Sequence, residues 1–377
     1  MSENKLSAEE LHRYSRHILL PELSLEGQLK LKGARVLVIG AGGLGCPILL
    51  YLAAAGVGYL GIVDFDVVEG SNLQRQILFT TRDIGKPKAN IAAIRLNQLN
   101  PEITIRPFHT KLTSSNALEI MADFDLICDG TDNFPARYLI NDACVLLGKT
   151  MVYGAIFRFE GQASVFNHQD ADGKRGPHYR DLFPEPPAPA TVPNCAEAGV
   201  LGVLPGIIGN IQANEIIKII TGIGEPLSGK LFILDTLTME SRTVKYAKNP
   251  GLPPVASLID YDEFCDMKQT SPQAGYTISV GELKALLSVK NQIQIIDVRE
   301  PQEFLLSNLG GKNIPLGELK TRIAEIPSSE RIVLICRSGK RSAMALTTLL
   351  DSGYKNVLNL HGGLLAWKQA IDDKLLL

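Results

Sequence analysis

The chain has 377 residues, too many for one ordinary domain and enough for two, and 45 % are hydrophobic, so each half can bury a core. A formal net charge of −2 argues against a broad electrostatic footprint for nucleic acid. The opening "MSENKLSAEELHRYSRHILL" is charged throughout, with no secretory apolar region, and the most apolar stretch, residues 199–220, carries Gly, Pro, Asn, Gln, Glu and Lys, so it reads as a buried helix and not a membrane span. Six widely spaced cysteines (Cys46, Cys128, Cys144, Cys195, Cys265 and Cys336) form no C-x-x-C pair. Free thiols in a reducing cytoplasm are expected, not a disulfide framework.

In chain order, "ARVLVIG" (34–40) reads as a buried parallel strand, and "CPILLYLAAAGVG" as a helix ending near Gly56 or Gly58. "YLGIVDFD" (59–66) is the next strand, residues 87–100 a helix, 103–108 extended, and "FDLICDGTD" (124–132) a strand with acidic residues at its C-terminal end. "PARYLINDACVLLG" (135–148) is a helix with Pro at its start. The rhythm predicts an α/β fold: a doubly wound, mostly parallel, Rossmann-like sheet with its site at the C-terminal ends of the strands. Residues 168–194 break the rhythm, being rich in Pro and charge. They read as a lid, a binding loop or a disordered crossing. The first domain is expected over 1–245, a Pro-containing linker over 246–275, and a second, smaller α/β domain over 276–377.

Gly40, Gly42 and Gly45 match G-x-G-x-x-G between a strand and a helix, where backbone N–H groups and the helix dipole favour phosphate. Asp64 ends the second strand, where a ribose partner is expected. Thus far NAD fits as well as ATP. Arg75 in "SNLQRQ", Lys86 and Lys88 in "GKPKAN", and Asp132 and Asn133 in "GTDN" tilt the balance toward a triphosphate with Mg²⁺. The competing reading makes Arg75 and Lys88 solvated charges and Asp132 a helix N-cap.

"VLICRSGKRSAMAL" places Cys336 after a buried strand and before a helix. The helix N-terminus, with Arg337, Lys340 and Arg341, favours a thiolate or persulfide on Cys336. Ser338 and Gly339 complete the loop. Tyrosine-phosphatase-like loops place five residues between Cys and Arg; four intervene here, and Ser342 takes the sixth place, a smaller cradle suited to a sulfane sulfur.

The strings "RYSRHILL", "VIGAGGLGCP", "VDFDVVEGSNLQRQ", "GKPKA", "DGTDN", "GAIFRFEGQ" and "NCAEAGVLG" resemble the MoeB/ThiF adenylyltransferases, relatives of the ubiquitin-activating enzymes, across residues 8–245. The resemblance implies that ATP adenylates the C-terminal glycine of a ubiquitin-like sulfur carrier ending in Gly-Gly. It makes Gly43 and Asp64 part of the nucleotide cradle, Ser71, Asn72, Arg75 and Lys88 polyphosphate contacts, and Asp132 the Mg²⁺ ligand. Arg16 would reach the partner subunit's ATP, which implies a homodimer. Cys195 resembles a cysteine that bonds transiently to the activated carrier; a small hydrophobe at a helix start is the other reading.

The family often carries zinc on two C-x-x-C pairs. Here His178, Asp181, Leu252 and Val255 stand at those positions, and two apolar residues cannot ligate, so no zinc is expected. Residues 276–377 resemble a rhodanese domain through "IDVREPQEF", "CRSGKRS" and "HGGLLAWKQA". This implies that Cys336 carries a persulfide from an upstream persulfide or thiosulfate donor, with Asp297 and Arg299 stabilising the fold. The expected product is a carrier thiocarboxylate, with molybdopterin synthesis as the closest branch and thiamine synthesis, cysteine synthesis and tRNA thiolation as alternatives. An NAD-dependent oxidoreductase and a non-catalytic module that docks a ubiquitin-like partner are the competing classes.

Overall fold

The computed structural model describes residues 5–187, 199–265, 275–288, 293–327, 330–373 and 375. The chain divides into two compact units, Met1–Lys268 and Gln269–Leu377.

The first unit opens with helices α1 (Ala8–Arg13), α2 (Ser15–Ile18) and α3 (Ser24–Gly33). Strands β1 (Arg35–Ile39), β2 (Tyr59–Val63), β3 (Thr104–Phe108), β4 (Leu126–Asp129), β5 (Thr150–Phe157), β6 (Glu160–Phe166), β7 (Lys230–Asp235) and β8 (Ser241–Lys245) form one sheet in the order β3-β2-β1-β4-β5-β6-β7-β8. β3 to β5 pair in parallel and β5 to β8 antiparallel. Helices α4 (Gly45–Ala55), α5 (Lys88–Leu99), α6 (Ala117–Ala122) and α7 (Phe134–Leu147) supply the crossovers.

Side chains alternate across the sheet, so β1 feeds two cores. Val36 and Val38 join one core with residues of α4 and α5, while Leu37 and Ile39 join another with residues of α6 and α7. This is why β1 reads as an unbroken apolar run. Gly56 takes the left-handed conformation (φ +82°) that ends α4. Asn133, not Asp132, caps α7, accepting from the Ala136 amide. The apolar stretch near residue 200 becomes α9 (Leu204–Thr221), numbered after the short α8 (Tyr179–Leu182).

Ile39 pairs with Val63 on one side and Asp129 on the other. The turns after β1, β2 and β4 therefore share one rim, at the point where strand order reverses.

Two segments differ from expectation. Residues 168–187 hold more structure than a bare loop: a turn in which the Asp170 amide bonds the Lys174 carbonyl and the Gly176 amide that of His168, followed by α8. The segment expected as a linker also docks in part. Helix α10 (Tyr261–Phe264) sends the Tyr261 hydroxyl to Asp142 Oδ2 at 2.7 Å, and Ser114 Oγ donates to the Ile259 carbonyl at 2.5 Å. Tyr261 and Cys265 are buried in the second core, which is what draws this stretch onto the first unit.

In the second unit, β9 (Thr277–Ile278), β10 (Ile293–Asp297), β11 (Lys312–Asn313), β12 (Arg331–Ile335) and β13 (Val357–Leu360) form an all-parallel sheet, ordered β11-β10-β12-β13-β9. Helices α11 (Val280–Ser288), α12 (Pro301–Leu306), α13 (Lys340–Asp351) and α14 (Gly363–Ala370) accompany it. It too has a core on each face.

Candidate active site

The glycine turn after β1 is built by exclusion of side chains. Gly40 has φ +93°, and a Cβ there would meet the Gly130 carbonyl oxygen at 2.7 Å; one on Gly130 would meet the Gly40 oxygen at 2.8 Å. The turns after β1 and β4 thus touch backbone to backbone, which only glycine permits. No side chain caps α4; the Cys46 amide bonds the Gly42 carbonyl at 2.9 Å, while among the described residues the Gly45 amide has no partner and stays available to an anion. Gly42 lies beside Gln76 and Gly43 beside the aliphatic part of Arg75.

Asp64 is buried, and its two oxygens accept from the amides of Ala41 and Asp66, each at 2.8 Å. It therefore pins the glycine turn, a role that spacing did not reveal. Burial pushes its carboxyl above the usual carboxylate range, against the pull of those amides and Lys88. Lys88, at the start of α5, is buried with its Nζ 3.2 Å from Asp66 Oδ2, so it is not a solvated surface charge. Arg75 is half-buried and donates to the Ser71 carbonyl at 3.2 Å. Asn72 is buried and accepts from the Glu69 amide. Asp132 is exposed; among the described residues its carboxylate has no hydrogen-bond or ion-pair partner, leaving it free for a cation. Arg16 is exposed on α2, and among the described residues no hydrogen bond or ion pair joins it to this rim.

The positions where the family often holds zinc do not fit a metal. His178 and Asp181 form a capping box on α8. The His178 amide donates to Asp181 Oδ2 at 2.7 Å, the Arg180 amide to His178 Nδ1 at 3.3 Å, and the Asn249 amide to Asp181 Oδ1 at 2.8 Å. Leu252 and Val255 offer no donor atom, and among the described residues no group of three or more His, Cys, Asp or Glu is placed to hold a metal.

Cys336 follows β12 and is buried. Its Sγ accepts from the Gly339 amide at 3.1 Å and the Ser342 hydroxyl at 3.3 Å. Two donors aimed at one sulfur suit negative charge there. The loop is also gripped from outside, since the Leu364 and Leu365 amides of α14 take the carbonyls of Cys336 and Arg337, each at 2.9 Å. A Cβ on Gly363 would run into the Cys336 carbonyl oxygen. Arg337 and Ser338 are half-buried and Lys340 exposed. Arg341, expected to add charge at the sulfur, gives both terminal guanidinium nitrogens to Glu303, at 2.6 and 2.8 Å. Asp297 and Arg299 form a buried pair at 2.7 Å, and Arg299 also bonds the Ser307 carbonyl, which fastens the end of α12.

Cys46, Cys128, Cys144 and Cys265 are buried among apolar side chains. Burial pushes the Cys46 thiol up to about 12 and raises Cys128 and Cys144, so these three are packing residues. Cys195 lies outside the described residues.

Residues 14–253 match the ThiF family and residues 279–370 the rhodanese-like domain. "Probable adenylyltransferase/sulfurtransferase MoeZ" of Mycobacterium tuberculosis is 47 % identical over 378 residues, covering 99 % of this chain and 96 % of its own. The sulfur carrier protein adenylyltransferase of Thermus thermophilus is 51 % identical over 266 residues, 69 % of this chain and 98 % of its own. Adenylyltransferase and sulfurtransferase MOCS3 of Culex quinquefasciatus is 42 % identical over 401 residues, 98 % of this chain and 90 % of its own. Among solved structures, E. coli MccB with MccA-N7isoASN has a TM-score of 0.58 at 22 % identity, covering 67 % of this chain and 76 % of that one, a likeness of fold. The chain thus belongs to the ThiF family, carries a rhodanese-like domain after it, and is an adenylyltransferase and sulfurtransferase.

Proposed function

We propose that the first unit adenylates the C-terminal glycine of a ubiquitin-like sulfur carrier ending in Gly-Gly, and that the second supplies the sulfur. The rim of β1, β2 and β4 takes ATP. Gly40, Gly42, Gly43 and the Gly45 amide at the start of α4 face its phosphates, Asp64 its ribose, and Arg75, Lys88, Ser71, Asn72 and Asn133 its polyphosphate. Asp132, without a partner among the described residues, would be the carboxylate to hold Mg²⁺ bound with the nucleotide, which would neutralise phosphate charge. The carrier carboxylate attacks the α-phosphorus, and pyrophosphate leaves. Arg16 serves the partner subunit of a homodimer. No zinc takes part; the capping box of His178 and Asp181 occupies that place.

The persulfide on Cys336, loaded from thiosulfate or a persulfide donor, attacks the acyl-adenylate and displaces AMP, giving an acyl disulfide. Cys195 then attacks the Cys336 sulfur. The carrier leaves as thiocarboxylate and a Cys195–Cys336 disulfide remains, to be reduced by an external dithiol. The molybdopterin branch is the pathway assigned, and a pull-down with the organism's own Gly-Gly-ended small proteins identifies the carrier. The name of the Thermus relative supports a sulfur carrier as partner.

The observation that carries this reading is Cys336, a strand-end thiol with two hydrogen-bond donors on its sulfur, in one chain with a ThiF nucleotide rim. The test is to incubate the chain with Mg·ATP, thiosulfate, a dithiol and a Gly-Gly-ended carrier, and to weigh the carrier. One oxygen-to-sulfur exchange is expected, and none with Cys336→Ala, which still forms the acyl-adenylate. Tight NADH binding with indifference to Mg·ATP would refute the scheme.

A further inference from the structure

Asp129 ends β4 with its carboxylate wholly buried. Its Oδ1 accepts from the Thr131 amide at 2.9 Å and from the Thr131 hydroxyl at 2.6 Å. Its Oδ2 faces Arg137 Nε at 3.4 Å, and neither atom has a hydrogen-bond partner. Arg137 reaches back from the first turns of α7 and lies against the rings of Phe134 and Tyr153, 5.6 and 5.1 Å from their centroids. From α9, Gln212 Nε2 donates to the Asp129 carbonyl at 2.7 Å. A buried pair of this kind gives little net stability over apolar residues of the same size, so its effect is to orient what it holds.

What it holds is Thr131. On one side of Thr131, Gly130 is wedged against Gly40 of the glycine turn. On the other, Asn133 caps α7 and fixes where the helix starts. Asp132 lies between these two anchors. Among the described residues its carboxylate has no partner, so its position is set by the backbone on either side.

We infer that Thr131, held by the Asp129–Arg137 pair, is a positioning residue for metal-bound triphosphate: its hydroxyl fixes the turn that presents Asp132 beside the glycine loop. The inference rests on the nucleotide reading of this rim and adds to it how the cation's carboxylate is aimed. It acts on metal-bound nucleotide and leaves the cradle for the rest of the molecule in place.

The full chain is titrated by calorimetry with Mg·ATP and separately with ATP in EDTA, and near-ultraviolet circular dichroism checks that each variant is folded. Thr131→Val keeps the side chain's shape and removes its hydroxyl. It should weaken Mg·ATP binding about 10-fold, the size of one lost hydrogen bond to a charged group, while ATP in EDTA changes less than about twofold. Thr131→Ser restores the hydroxyl and should return Mg·ATP affinity to near that of the unaltered chain. Arg137→Met, which strips Asp129 of its counter-charge, should show the same selective loss. A folded Thr131→Val that binds Mg·ATP normally, or that loses both forms equally, overturns the inference while the nucleotide reading stands. An unaltered chain that binds neither form, or that does not distinguish them, overturns the metal-nucleotide reading and the inference with it.

Discussion

Glu303 lies 38 residues before Arg341, yet its two oxygens take both of the arginine's terminal nitrogens. Burial works against the Glu303 charge, but the Arg341 pair outweighs it and holds the carboxyl below the usual carboxylate range. A depressed carboxyl contributes stability that is complete above its unfolded pKa and is lost as pH falls through the depressed value. Glu303→Gln should therefore destabilise the chain at pH 7 by about 1–3 kcal/mol. The gap between variant and unaltered chain should close in acid, read as denaturation midpoints across a pH series. Neither Glu303 nor the Asp129–Arg137 pair was legible in the sequence. Each rests on which way a side chain turns, and an exposed-looking charge gives no sign of a partner across the fold. Cys336 was legible because its strand, loop and helix are contiguous.

At the scale of elements, the strands around the rim could be read directly: a parallel strand covered on both faces must be apolar throughout, and β1 is. The ends of elements were harder. The cap of α7 falls on Asn133, one residue beyond Asp132, because only the amide side of the turn needs an acceptor there. Helix α8 escaped notice inside a Pro-rich stretch, since its four residues carry no period and it depends on a capping box closed by tertiary contact. That box also predicts behaviour. Asp181 ties α8 to Asn249, 68 residues on, by accepting from its amide. A strong chelator should leave the melting temperature unchanged and metal analysis should find no stoichiometric zinc. Asp181→Ala, by orphaning two amides, should cost about 1–3 kcal/mol in thermal unfolding.

At the scale of the whole molecule, each unit encloses its own pair of cores. The Thermus relative, matched over 98 % of its own length but only 69 % of this chain, fits such a division. Calorimetry of the full chain should then resolve two transitions. Leu37→Ala, at a fully buried position of β1, should shift one of them, and Leu334→Ala, on β12, the other, each by about 2–5 kcal/mol. The grip of α14 on the cysteine loop reaches further than stability. Because Gly363 leaves no room between its own backbone and the carbonyl of Cys336, any bulk at that distant position would press on the sulfur's cradle before disturbing anything else. Inherited loss of sulfur delivery can therefore arise from a spelling change in "HGGLLAW" that leaves every reactive group in place.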